Sequence, residues 1–454
     1  MGNNLNELPV EILEKILDFV GQDWFQIIVS VCRHWYYIAT DILIRETGTQ
    51  YRITPRKIVA YSIPLLKWAV ETQDFDRLDV VCYNAAEIGN MEVLKYAHEL
   101  GYPWDENTIS FATEHGHLNI IKWARSKGCP WDESACYWTA RKGHLHILKW
   151  LRDNGCPWDE VTCDYAARGG HLDVLKWARA NGCDWSVDTC TYAAKSGSLD
   201  VLKWLRANEC PWNEETCSYA ARKGHLEILQ WARANGCPWN EFTCHFAAEG
   251  GYLKILKWAR SEGCPWDEET CCWAAGGGHL SVLQWLRENG CDWDSITCMR
   301  AAMGGHMKVL QWAINNGCPY DEATMSQAAR SGNLNIVKWL YHKGCPYNVW
   351  TCAAAAEGGQ LKCLQWLREQ GIPWDENTCK YATESGYLII LKWVRENGCP
   401  WNKSVCLSAV ENNHLNILKW ARSQGCPWDY DRCIYKAQQF HKHSILEWMQ
   451  NNKE

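Results

Sequence analysis

Two short apolar patterns alternate along most of this chain and return every 27 residues. In the copy from Asp159 to Trp185, Cys163, Ala166 and Ala167 lie at the spacing of one helix face. Leu172, Val174, Leu175 and Ala178 then recur at the spacing expected for the buried face of a second helix. Gly170 separates the two, because glycine adopts the left-handed conformation that ends a helix without strain. Asn181 and Gly182 stop the second helix, and a proline often follows, as at Pro157 and Pro211. Asp159 precedes the first helix as an N-cap, its side chain free to accept a backbone N–H. That slot reads Asp, Asn or Ser in all thirteen copies from Asp105 to Asp429. Each copy therefore predicts two short antiparallel helices. Neither would be stable alone at this length, so stacking on neighbouring copies must supply the burial.

An aromatic residue closes each copy: Trp104, Trp131, Trp158, Trp185, Trp212, Trp239, Trp266, Trp293, Tyr320, Tyr347, Trp374, Trp401 and Trp428. A second Trp series runs from Trp123 to Trp420 with the same period. A fixed period of this length is the mark of a solenoid, in which each unit buries its apolar face against its neighbours. The expected fold is all-α. At repeat spacing both tryptophan series are expected to fill the core rather than to offer a platform for bases or sugars.

The composition, 47% hydrophobic and 22% charged, fits a folded chain. A net charge of -7 argues against nucleic-acid binding by bulk electrostatics. No run approaches the ~18 apolar residues of a spanning helix, no signal-peptide h-region opens the chain, and Asn6 stands where a myristoylation signal has Ser or Thr. No membrane partner is expected. Of the 26 Cys, eleven occupy the slot of Cys156 and eleven that of Cys163. Where Cys is missing the substitutes are mostly apolar (Ile109, Met325, Ile372), which packing tolerates and metal coordination does not. Free thiols in a reducing, intracellular setting are expected.

The stretch from Ala166 to Lys176, with Gly169-Gly170-His171-Leu172 at its centre and Asn181-Gly182-Cys183-Asp184 after it, resembles the second half of an ankyrin repeat. The resemblance covers roughly residues 83 to 454. Val161-Thr162-Cys163-Asp164 replaces the family's Thr-Pro-Leu-His, and the copy is shorter than the usual ~33 residues. The missing residues fall where ankyrins carry a β-hairpin finger, so a fingerless variant is expected, with Cys-Pro-Trp plugging the shortened link. Ankyrin ligands usually bind the inner-helix side, which this resemblance makes the expected recognition face.

The first fifty residues differ in texture. Leu8-Pro9-Val10-Glu11 opens a helix with Leu13, Ile16, Leu17 and Val20 at helical spacing, and Val31-Cys32-Arg33-His34-Trp35 follows a second apolar stretch. The two clusters, in this order and separation, resemble an F-box, a three-helix unit. The resemblance implies docking on the Skp-type adaptor of a cullin-RING ubiquitin ligase through Leu8, Pro9, Ile12, Leu13, Ile16, Leu17, Val31, Cys32 and Trp35. It also implies a non-enzymatic chain that recruits a target protein, in the manner of F-box repeat proteins of large DNA viruses and protists. The alternative is a scaffold or decoy whose N-terminal unit only caps the stack. The expected organisation is an F-box at 1–50, a linker and degenerate first repeat at 51–82 (Ile63-Pro64-Leu65-Leu66-Lys67-Trp68), repeats at 83–430 and a C-terminal cap at 431–454. A monomer in the cytoplasm, of a host cell if the chain is viral, follows from that reading, with the nucleus left open.

No cofactor is expected. Cys156, Cys163 and His171 recur once per copy but lack zinc-site spacing, and no phosphate-loop or hydrolase motif is present. His171 is expected to satisfy backbone groups at the start of its helix. Partner contacts are expected where slots vary amid fixed packing positions: the slots of Arg168 and Asp164. The aromatic slot of Tyr165, Tyr192, Tyr219, Phe246 and Trp273 changes to Arg300, Gln327 and Ala354. Met299, Arg300, Met303, Gln327, Arg330 and Ala354 are therefore the candidate target-binding residues.

Overall fold

The computed structural model describes residues 80–452 and isolated positions between 60 and 70. The F-box-like motif, from Leu8 to Trp35, lies outside the described residues, as does most of the expected linker. Of the degenerate first repeat, Leu66 is buried and Lys67 Nζ sits 5.4 Å from the centre of the Tyr96 ring.

Among the described residues there are 28 helices and no strand, an all-helical repeat solenoid. The contacts divide the chain into two compact units, residues 1–216 and 217–454. Within each unit the helices come in pairs, for example Glu160–Gly169 with Leu172–Ala180 in the first, and Ser295–Met303 with Met307–Asn315 in the second. Gly170 caps its helix at φ 76° and Gly182 closes the next at φ 84°, both left-handed. The predicted caps hold with one exception. Asp159, for instance, accepts from Val161 N at 3.2 Å, and Asp321 forms a full capping box with Thr324, whereas Asn240 makes no side-chain cap bond.

The core repeats with the sequence. Cys163, Ala166 and Ala167 from the first helix and Val174, Leu175 and Ala178 from the second are all fully buried. Each buried Val or Leu removes apolar area worth roughly 1.5–3 kcal/mol from water. The small Ala pair lets first helices of successive copies pack closely, as Ser134–Arg141, Glu160–Gly169 and Asp188–Ser196 do, while second helices of successive copies touch far less.

Two expectations change here. The histidine slot does not serve its own helix: in the second unit His279 Nε2 lies 2.9 Å from Glu249 O and His306 Nε2 2.9 Å from Gly276 O, each at the end of the preceding copy's first helix. His171 makes no cap bond to its own helix either. The ring is long enough to bridge copies, and the carbonyls at a helix end lack intrahelical donors. The tryptophans, expected in the core, are absent from it: all described ones are half-buried except Trp350, which is exposed. Ala, Cys, Leu, Ile and Val fill the narrow gaps between helices, and the two repeating Trp series stay half-buried outside them.

Candidate interaction surfaces

The row of first helices carries a polar seam and an aromatic row. The Asp164 slot, expected to face a partner, is mostly buried between successive first helices, which is a correction. Asp164 accepts from Ser186 Oγ at 3.0 and 3.1 Å and from Thr189, so it ties one copy to the cap of the next. Burial pushes its carboxyl up, and the Thr189 and Ser186 hydroxyls hold it down. In the second unit His245 Nε2 meets Asp267 Oδ1 at 2.6 Å and Cys272 Sγ meets Asp294 Oδ1 at 3.5 Å in the same way. Variation in this slot reflects pairing with the next cap. Part of the Arg168 slot is also consumed between copies: Arg222 pairs with Glu249 at 3.1 Å and Arg330 with Glu357 at 2.7 Å.

The aromatic row stands at the slot of Tyr165. In the second unit Tyr219, Phe246 and Trp273 follow one another with ring centres 5.8 and 5.9 Å apart, and the Arg300 guanidinium ends the row 5.0 Å from the Trp273 ring. Beyond it Gln327 and Ala354 are partly buried, with no ring to extend the row until Tyr381. Of the candidate residues, Met303 is 52% exposed and Arg330 is exposed but ion-paired, while Met299 and Arg300 are partly buried. Sequence reasoning missed two exposed apolar neighbours, Ile296 and Trp350, at 42% and 48% exposure. Both stand two residues after the cap, a slot that varies from copy to copy and is also apolar at Val161 and Phe242, so no signal peculiar to these copies was present in the sequence.

The second-helix side is built from a repeated clasp. In ten copies an Arg near the end of the second helix lays its guanidinium 4.0–4.4 Å from the centre of the closing Trp ring. The same Arg donates from Nη1 to the carbonyl four residues on, as Arg125 does to Cys129 O at 3.1 Å and Arg422 to Cys426 O at 2.7 Å. The closing Trp of one copy meets the second-helix Trp of the next edge to face, as in Trp158–Trp177 at 5.8 Å and 62°. A planar cation that stacks and bonds at once folds the short link back on itself. In the second unit open grooves lie beside such clasps, one of about 540 Å3 lined by Gln365, Arg368, Glu369, Trp374, Trp393 and Asn397. A smaller one of about 300 Å3 is lined by the equivalent residues of an earlier copy, Gln230, Arg233, Ala234, Trp258 and Glu262.

The described cysteines are free and buried. The Cys163 and Cys183 thiols meet, which with burial raises the Cys163 pKa. Cys183 Sγ also donates to Asp159 O at 3.1 Å. Such thiols are neutral packing groups rather than nucleophiles.

Paired helices, left-handed glycine caps and a histidine bridging copies recur across the described chain. Residues 271–351 match the model described as ankyrin repeats in three copies, and residues 133–179 and 217–260 match that for ankyrin repeats in many copies. Those three segments carry ankyrin repeats. No curated protein matches it. Among solved structures it is similar to the pentatricopeptide repeat protein PPR10 from maize, at 12% identity and a TM-score of 0.32 over 99% of this chain and 89% of that one. It is also similar to the human ASB11 ankyrin repeat domain, at 16% identity and a TM-score of 0.29 over 35% of this chain and 84% of that one. Ankyrin repeats bind proteins, and these are suited to the same work. No described helix is long and apolar enough to cross a membrane.

Proposed function

We propose that this chain recruits a target protein through the first-helix face of the copies spanning residues 295–357, and that its N-terminal motif delivers that target to a Skp–cullin–F-box ubiquitin ligase. One observation carries the first half: the aromatic row stops at Trp273 and Arg300, and Gln327 and Ala354 leave a gap flanked by exposed Ile296, Met303 and Trp350. A solenoid whose packing slots stay fixed while one face changes offers apolar anchors beside polar groups, the make-up of a binding hot spot. The second half rests on the sequence of Leu8, Pro9, Ile12, Leu13, Ile16, Leu17, Val31, Cys32 and Trp35. The chain itself performs no catalysis in this reading; it raises the local concentration of its target near the charged ubiquitin enzyme, in the cytoplasm.

Affinity capture with mass spectrometry tests both halves. Met299→Ser with Arg300→Tyr, Gln327→Tyr and Ala354→Tyr, the residues common in other copies, should abolish target capture and leave helicity intact. Leu8→Ala with Pro9→Ala should abolish binding of a Skp-type adaptor and leave target capture intact. Retained capture by the first variant refutes the face. An adaptor that ignores the wild-type chain refutes the ligase role and leaves a scaffold or decoy.

A further inference from the structure

The clasp on the second-helix side fails in two consecutive copies, and the failure has a definite chemistry. Where ten copies place Arg, these two place Ile314 and Tyr341. The closing ring survives in both, as Tyr320 and Tyr347. The one other closing ring without an Arg, Trp104, is covered by the His98 ring at 3.9 Å. The loss is thus not simply tolerated everywhere. At the second site Tyr341 stacks against one side of Tyr347, with centres 5.9 Å apart, and Trp366 meets Tyr341 edge to face at 5.5 Å. Tyr347 nevertheless stays 43% exposed, an unusually open ring for this slot. Ile314 has no side-chain donor, and Tyr341 makes no hydrogen bond to the Cys345 carbonyl, its ring lying against Tyr347 instead. The Cys318 and Cys345 carbonyls therefore lack the guanidinium donor that Cys291 and Ile372, in the flanking copies, receive from Arg287 and Arg368.

We infer that Tyr320 and Tyr347, with the carbonyls of Cys318 and Cys345, form docking positions for arginine side chains of a protein partner, which complete from outside the clasp that the other copies complete from within. The occupant is an arginine-bearing peptide segment. A guanidinium satisfies both features together: its flat face lies on an aromatic ring while its N–H edge bonds a carbonyl in the ring's plane of approach. A lysine ammonium can do the first but has no planar fork for the second. The electron-rich phenol faces and the carbonyl oxygens are both acceptors for a cation, and replacing two arginines by Ile314 and Tyr341 removes the positive charge that would repel one. These are two of the three copies that carry the gap on the first-helix face. The inference goes beyond the proposed function, because it concerns a different side of these copies and states the chemistry of the partner.

The test uses the full chain and a displayed library of random short peptides. Peptides enriched on the wild-type protein should share an arginine. Changing that arginine to Gln should weaken binding by at least about tenfold, and to Lys by somewhat less. Ile314→Arg with Tyr320→Trp and Tyr341→Arg with Tyr347→Trp rebuilds the internal clasp and should weaken the same peptides equally, while circular dichroism shows helicity and melting no lower than wild type. Should that variant misfold, Tyr320→Ala with Tyr347→Ala removes the rings alone and should give the same loss. Enrichment without arginine, no enrichment at all, or full binding to the rebuilt variant overturns the inference. Peptides lost only on the first-helix variant overturn it too, while supporting the proposed recognition face.

Discussion

Replacing Arg260 by Ala removes one clasp and measures what holds a fingerless link closed. Its guanidinium lies 4.0 Å from the centre of the Trp266 ring and donates to the Cys264 carbonyl. Arg260 is a cleaner probe than Arg179, whose guanidinium also meets Asp184 at 2.9 Å. A partly exposed cation–ring contact is worth about 0.5–1 kcal/mol. The bond to the carbonyl adds about 1 kcal/mol, less than a buried charged bond because water competes. Together the loss is roughly 1.5–2 kcal/mol, confined to one link because copies in a solenoid feel mainly their neighbours. A global melt would dilute so local a change. Native-state hydrogen exchange would not: amides from 262 to 270 should exchange about tenfold to thirtyfold faster, with distant copies unchanged. Arg260→Lys keeps charge and stem but not the planar fork, and should recover at most about half of the loss. Unchanged exchange in the Ala variant, or full recovery in the Lys variant, would refute the clasp as the device that closes the link.

Other outcomes follow from the same geometry. Glu209 stands where most copies have Gly and holds φ 63°, so Glu209→Gly should stabilise its unit by about 1 kcal/mol, read as a higher urea midpoint with unchanged slope. Asp321→Ala, which deletes a full capping box, should cost about 1 kcal/mol, and Asn240→Ala, whose side chain caps nothing, clearly less; equal costs in thermal melts would contradict the cap geometry. Leu283→Ala empties a fully buried site and should cost about 2–5 kcal/mol. Burial pushes the Cys129, Cys345 and Cys352 thiols up to about 12, above their unfolded value near 9. Between those values the unfolded chain has lost protons that the folded chain keeps, so stability is full below about pH 8.5 and falls as pH rises, by roughly 1 kcal/mol per pH unit for each such thiol. Urea titrations from neutral to alkaline pH check the sign, and a flat profile would mean the thiols are not buried as described.

The sequence by itself determined the period, the pairing of helices and where each helix begins and ends. Those features depend on local chemistry: Asp at an N-cap, Gly in a left-handed turn, apolar residues three and four apart. The Cys and Ala packing slots were legible for the same reason, because only small apolar groups recur there. Tertiary structure decided which repeated residues face inward and which bridge copies. His279 reaches a carbonyl thirty residues back, and Asp164 serves the next cap; neither partner is near in sequence. The tryptophans mislead for a physical reason. Their size and regularity suggest core, but the gaps between helices are filled by Ala, Cys and branched aliphatic side chains, and Arg supplies ten of the eleven closing Trp with a partner outside them. The proposed recognition face was legible only as a break in a pattern, at Arg300, Gln327 and Ala354. That the clasp breaks in two of those three copies, at Ile314 and Tyr341, gained meaning once folding showed what an arginine does at that position.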